Sequence, residues 1–190
     1  MFTLFLFVDG ALPAVQGKGR VHTPAKAADP YLDDGAPPAA VVQLYFDSLP
    51  SLDACIAKNE KLKCAAQAMA VRAFPVPDPR TGQCTYLVAY DGPAQDENAW
   101  HAHYLAHHPP IMAKLPGLRE LEVYTRIDWI CPAAWRRLDC MQRNKVSFDS
   151  PEALTAALNS PVRHAMRADY AQLPKFTGRV THFAMKTQVL

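Results

Sequence analysis

Charge imbalance is the first thing missing from this sequence. Lys and Arg number 20 against 18 Asp and Glu, a net charge of +2 with histidine neutral. The basic residues are scattered singly or in pairs such as Arg136-Arg137. Without a basic stripe or cluster, no nucleic-acid partner is expected. Paired cysteines are missing too: Cys55, Cys64, Cys84, Cys131 and Cys140 are odd in number and form no Cys-x-x-Cys. That argues against a zinc knuckle or a redox dithiol and predicts free thiols in a reducing cytoplasm. Long hydrophobic runs are also absent. No segment approaches the roughly 20 apolar residues of a membrane-spanning helix, so no membrane partner is expected. Met1-Phe-Thr-Leu-Phe-Leu-Phe-Val8 is apolar but short, lacks a positive start and runs straight into Asp9-Gly10. It reads as a buried strand ending in a turn, not as a leader.

What is present is an ordinary globular balance, 49% hydrophobic and 20% charged over 190 residues, enough for one large domain or two small ones. Met1 to Val8 has one polar residue, Thr3, so both faces of that strand are expected to be covered. Residues 11–40, rich in Pro, Gly, Ala and Asp, predict an irregular connection with room for one short helix. A connection of that length is commonly functional or mobile. Val41 to Phe46 predicts a strand. Asp47-Ser-Leu-Pro-Ser51 then starts a helix over Leu52 to Ala68, and Met69 to Phe74 is a third strand. Pro75 to Gly82 reads as a linker. The pattern restarts with a strand at Thr85 to Tyr90 and a helix that Leu115-Pro-Gly117 ends. Leu118 to Trp129 is strand-like, Pro132 to Asp139 an irregular excursion, and Met141 to Phe148 a strand. Asp149-Ser-Pro-Glu152 opens a helix that Pro161 kinks or splits, and Val180 to Val189 is the last strand.

Two stretches repeat. Tyr45-Phe-Asp-Ser48 and Ser147-Phe-Asp-Ser150 each precede a helix, and Asp9-Gly10 and Asp91-Gly92 each end a strand. This predicts two copies of one unit, at 1–79 and 80–190. The second reads strand, helix, strand, strand, helix, strand, a split βαβ arrangement. In the first, residues 11–40 replace the first helix and the strand that would follow it. Each unit leaves one sheet face bare. Two α+β, ferredoxin-like units pairing through their antiparallel sheets into a barrel would bury both faces.

Trp100-His-Ala-His-Tyr-Leu-Ala-His-His-Pro-Pro-Ile111 holds four of the seven histidines. Imidazole is the side chain best able to change charge near neutral pH, so this stretch is the candidate reactive wall. On a helix, Trp100, Tyr104, His108 and Ile111 share a face. His108 and Tyr104 are the candidate acid/base pair, one moving a proton while the other polarises an oxygen. Pro109-Pro110 breaks the backbone hydrogen bonding just after His108, which would help aim its ring. His101 and His107 are expected to be structural. His103 and His107 have the spacing of two zinc ligands, but neither an intervening Glu nor a third ligand is evident, so zinc is not expected. On Leu118 to Trp129 the residues Tyr124, Arg126 and Asp128 alternate with apolar ones. That face is either a second pocket wall, where Arg126 would suit a carboxylate or phenolate, or a solvated edge. Trp129 and His182 are lesser candidates for the lining.

Trp100-x-x-His103-Tyr104-x-x-x-His108-x-Pro110-Ile111 with Leu115-Pro-Gly117-Leu, then Phe148-Asp-Ser-Pro-Glu-Ala-Leu154, Ser160-Pro161 and Ala168-Asp169, resembles the EthD-type proteins of the dimeric α/β-barrel superfamily. The resemblance covers roughly residues 84–190. It implies a ferredoxin-like unit that pairs into a barrel, here within one chain, with room for further pairing as a homodimer. It also marks His108 as the acid/base, with His103 inside the motif. Members include isomerases, cyclases, decarboxylases, monooxygenases, haem-binding enzymes and proteins of no assigned role, so the fold leaves the chemistry open. The expected activity is cofactor-independent acid/base chemistry, an isomerisation, cyclisation or lyase step, on a small hydrophobic oxygenated ligand such as an aromatic catabolite, lactone or polyketide. The catalytic residues would be His108, Tyr104 and His103, with Trp100, Ile111, Tyr124, Arg126 and Trp129 binding the substrate. The alternatives are a non-catalytic small-molecule binder or oxygenase accessory, and a haem protein with His108 or His103 as axial ligand.

Overall fold

A computed structural model describes residues 1–10, 18–32 and 34–190. The elements are β1 (Phe2–Val8), β2 (Gly19–Pro24), β3 (Ala40–Phe46), α1 (Leu49–Asn59), β4 (Ala65–Phe74), β5 (Cys84–Tyr90), α2 (Glu97–Met112), β6 (Glu120–Arg126), β7 (Arg136–Arg137), β8 (Gln142–Phe148), α3 (Pro151–Leu158), α4 (Pro161–Tyr170) and β9 (Val180–Val189). In the first half the strands lie in the order β4-β1-β3-β2, and in the second β9-β5-β8-β6. Both are the antiparallel order of a ferredoxin-like unit.

Two seams join the halves edge to edge. β2 pairs with β9 from Arg20 opposite Val189 to Pro24 opposite Met185. β4 pairs with β6 from Met69 opposite Arg126 to Phe74 opposite Leu121. With β1 also paired to β4, eight strands close into a barrel and leave no free edge among themselves. The short β7 adds in parallel at Ala65 and Ala66 of β4.

Alternation along each strand divides inside from outside. Outward residues of the first half, including Leu4, Leu6, Val42 and Leu44, pack against Leu52 and Ile56 of α1. Those of the second half, including Tyr86, Val88, Val123 and Val146, pack against α2, α3 and α4. Inside the barrel, Phe5, Val41, Met69, Tyr124 and Met185 form an apolar cluster beside a closed polar circuit. Lys145, fully buried, sits 3.1 Å from Glu122 and 3.7 Å from Glu120. Tyr124 donates to Glu122 and receives from Gln43, and Gln43 contacts His22. From His22 the circuit runs through Thr187, Thr85 and Ser147 back to Glu120, which also pairs with Arg20. Two cations and two carboxylates balance. Burial, aided by the Lys145 charge, lowers the His22 pKa to about 3, so this imidazole is neutral.

Several sequence expectations shift here. The strand expected to be lost from residues 11–40 is present as β2; Arg20 and His22 are polar because they face the barrel circuit. Residues 11–17 and Asp33 lie outside the described residues, so what was expected there has no counterpart to set against it. The helix expected to reach Ala68 ends at Asn59, and β4 begins at Ala65. Ala65-Ala-Gln-Ala-Met-Ala has helical propensity, but its position between β1 and β6 overrides it. The helix after Asp149 divides into α3 and α4, with Pro161 opening the second. Among the described residues no helix is long and apolar enough to cross a membrane.

Candidate functional site

The pocket that His108 lines lies outside the barrel. It is a cavity of about 450 Å³ between the outer face of the second half's sheet and helices α2 and α4. The sheet contributes Tyr86, Val88 and Tyr90 from β5, Asn144 and Val146 from β8, and Val180 and His182 from β9. The helices contribute His108 and Met112, then Arg163, Met166, Arg167 and Tyr170. That volume suits a ligand of drug-like size, and the mixture of apolar walls with a few polar groups is typical of such a site.

Local sequence sets this wall. Asp96 caps α2 by accepting from the Ala99 N–H, with Glu97 in the first turn. The helix then runs through both prolines to Met112. Trp100, Tyr104, His108 and Met112 are buried at four-residue spacing. At about 100° per residue, each such step turns the row about 40° further around the helix, which brings His108 and Met112 to the cavity. Ile111 lies only about 20° around the helix from Trp100, well short of His108, and packs against the core instead.

His108 is the centre of the site. It is 4% exposed, and its Nδ1 lies 2.7 Å from Oδ2 of Asp169 on α4. A carboxylate only accepts, so the imidazole proton sits on Nδ1 and Nε2 keeps its lone pair. Burial lowers the His108 pKa against the raising pull of Asp169, so the ring is held in the neutral, proton-accepting form. His103 Nε2 approaches the other Asp169 oxygen at 3.3 Å, so one carboxylate orients both histidines. His107 lies tilted against His103, ring centroids 4.5 Å apart, and His101 contacts Gln142. Among the described residues, no group of three or more His, Cys, Asp and Glu is placed to hold a metal ion.

Tyr104 lies behind the wall, stacked on Trp100 and 4.9 Å from the His108 ring by centroids. Its hydroxyl receives from Asn144 Nδ2, and its ring meets Tyr90 edge-on with centroids 5.6 Å apart. Burial holds the Tyr90 and Tyr104 phenols far above their ordinary pKa, so both stay protonated. Two buried polar atoms of the wall, Asn144 Oδ1 and Arg163 Nε, have no hydrogen-bond partner. Both atoms are closed off from the cavity as well as from solvent, so they are unpaired within the wall and not on its surface.

A strap from the first half completes the wall. Residues 25–32 and 34–39 run over the second half, and Leu32 reaches the cavity. Asp29 accepts from Tyr86 at 2.7 Å and from Arg163 at 2.9 Å. Asp34 accepts from the His182 backbone and from its ring, both at 2.8 Å.

The other expected binding residues lie away from this cavity. Trp100 is fully buried behind Tyr104 and Tyr90. Tyr124 belongs to the barrel circuit. Arg126, at the exposed end of β6, pairs with Glu97 and Asp139. Trp129 packs with Trp135 against the first half. Both faces of a barrel strand are buried, so the polar face of β6 signified the barrel core and not a pocket wall. Asp169, Arg163, Asn144, Tyr86 and Tyr90 carried no sequence expectation as site residues. For Arg163 and Asp169 alone a signal was present: with Met166 they recur every three residues along one helix.

No protein-family model matches the sequence, and no curated protein compared with it does. Solved structures do. An anthrone oxidase-like protein superposes with a TM-score of 0.62 at 12% identity, covering 99% of this chain and 92% of its own. A candidate monooxygenase from Lactobacillus acidophilus gives 0.55 at 13% identity, covering 100% and 98%. A candidate monooxygenase from Fusobacterium nucleatum gives 0.53 at 8% identity, covering 99% and 92%. At these identities the likeness is one of architecture. With its eight strands closed by two seams, the chain has the dimeric α/β-barrel fold, both units carried on one polypeptide.

Proposed function

We propose that the chain is an acid/base enzyme in which His108, held by Asp169, removes a proton from a small, largely apolar, oxygenated ligand. The observation that carries this is the 2.7 Å His108–Asp169 bond at the wall of a 450 Å³ cavity. The carboxylate fixes the tautomer and steadies the imidazolium that forms, as in other His–carboxylate pairs. Tyr104 acts through Asn144, which it orients, and His103 acts through the shared Asp169. The released electron pair would drive an isomerisation, a cyclisation or a lyase step, and the proton transfer needs no group beyond these side chains.

The names of the structural neighbours favour a second reading with the same first step: the deprotonated ligand reacts with dioxygen. Both are tested by following solvent-deuterium exchange into anthrone, a small enolisable ketone, by NMR, with oxygen uptake recorded in parallel. Wild type is expected to catalyse exchange, and His108→Ala to lose about 10²–10⁴-fold of it. Exchange unchanged in the variant removes His108 as the base. Ligand binding with neither exchange nor uptake favours the binder or accessory alternative. Hemin added to the protein is expected to give no Soret shift; a shift abolished by His108→Ala would put a haem site there instead.

A further inference from the structure

We infer that Arg163 is the oxyanion-binding residue of this cavity and that the strap residue Asp29 tunes its charge, so the ligand is one whose oxygen takes up negative charge, an enolisable ketone or a phenol. This rests on the reading of His108 as the base and adds what receives the charge. Arg163 is 7% exposed and lines the same cavity as His108. It spends one terminal nitrogen on Asp29, while its Nε is buried without a partner. A guanidinium offers five N–H donors and no acceptor. With Nε walled off and Nη2 on Asp29, the donors left for a ligand are those of Nη1, which has no hydrogen bond within the described residues. A ligand carrying a carbonyl or phenol oxygen supplies the lone pair they need.

The proton balance fits. His108 Nε2 takes the proton, the electron pair of that bond moves into the conjugated system and onto the ligand oxygen, and an Arg163 N–H donates to the resulting oxyanion. Nothing is oxidised or reduced in that step. Asp29 bonds both Arg163 and Tyr86, so its carboxylate opposes the guanidinium charge in the resting site and fixes its direction. Asp29 belongs to the first half of the chain, which therefore shapes the site of the second.

The test is the ionisation of bound dihydroxyanthraquinone, whose phenol changes colour on losing its proton. In wild type and in His108→Ala the bound probe is expected to ionise at lower pH than in water. Arg163→Met should raise that pKa by about one unit, a tenfold loss of preference for the anion. Arg163→Lys, which keeps the charge if the methionine variant folds poorly, should retain part of the effect. Asp29→Asn should move it the other way, to lower pH. An unshifted probe, a probe that does not bind wild type, or equal pKa values in wild type and Arg163→Met overturns the inference. His108→Ala losing neither exchange nor the probe's shift would instead leave Arg163 standing and remove the base.

Discussion

Asp169 decides what His108 can do. Its oxygen holds the proton on Nδ1, and its charge raises the affinity of the ring for a second proton, against burial that lowers it. Asp169→Asn keeps the size and removes the charge. The amide can also present an N–H to Nδ1, which reverses the tautomer and turns Nε2 into a donor. We expect kcat to fall by about 10²–10⁴-fold, in the range of comparable carboxylate losses. The acid limb of the kcat/KM profile should also move to lower pH, because the raising influence is gone. A lost rate with an unmoved limb would mean that Asp169 acts only on packing. At this scale the sequence was partly legible. His108 stood out because a titratable ring sat in an apolar row. Arg163 and Asp169 did not, because charged residues on a helix normally mark the solvent side, and only a paired cavity wall reverses that.

The strap is the element that most changes the site. Among its described residues it carries no regular structure, yet it is fastened at several points by side chains. Asp29 holds Arg163 and Tyr86, Asp34 holds His182, and Tyr31 contacts His164 and lies under Arg167. Asp34→Ala leaves the His182 ring and backbone N–H without their acceptor. About 1–2 kcal/mol should be lost, which for a chain of this size is roughly 3–6 °C in Tm. Amide exchange over 25–39 should quicken while the barrel strands stay protected. Uniform acceleration would show that the strap is not a separate unit. Composition marked this region as irregular and long, but nothing local to it disclosed its destination, since each fastening partner lies more than 50 residues away. The helix starts at Ser48 and Ser150 were legible for the opposite reason: each cap bonds an N–H three residues on.

The whole molecule is built on exchange between its halves. The strap of the first half covers the second half's sheet and cavity, while Trp129, Cys131 and Trp135 of the second half cover the first half's outer face. The two halves also share one barrel core, and its buried His22 links folding to pH. His22, with a pKa of about 3 when folded, would titrate near 6.5 when unfolded. A lowered folded pKa means that the unfolded chain binds more protons below about pH 6.5, so stability is intact above that pH and is lost as pH falls toward 3. His108 and His182, also lowered by burial, add loss of the same sign. For His22 alone the three units between about pH 6.5 and 3.5 correspond to ~4 kcal/mol, a large share of the stability of any domain. Replacing His22 by Gln keeps a polar group against Thr187 or Gln43 and removes the titration. Denaturant unfolding across that pH range should then show the stability-versus-pH slope reduced by about one proton, together with a lower plateau at neutral pH from the poorer fit. An unchanged slope would mean that the barrel circuit admits the proton in the folded state, with Glu120 and Glu122 near enough to share it.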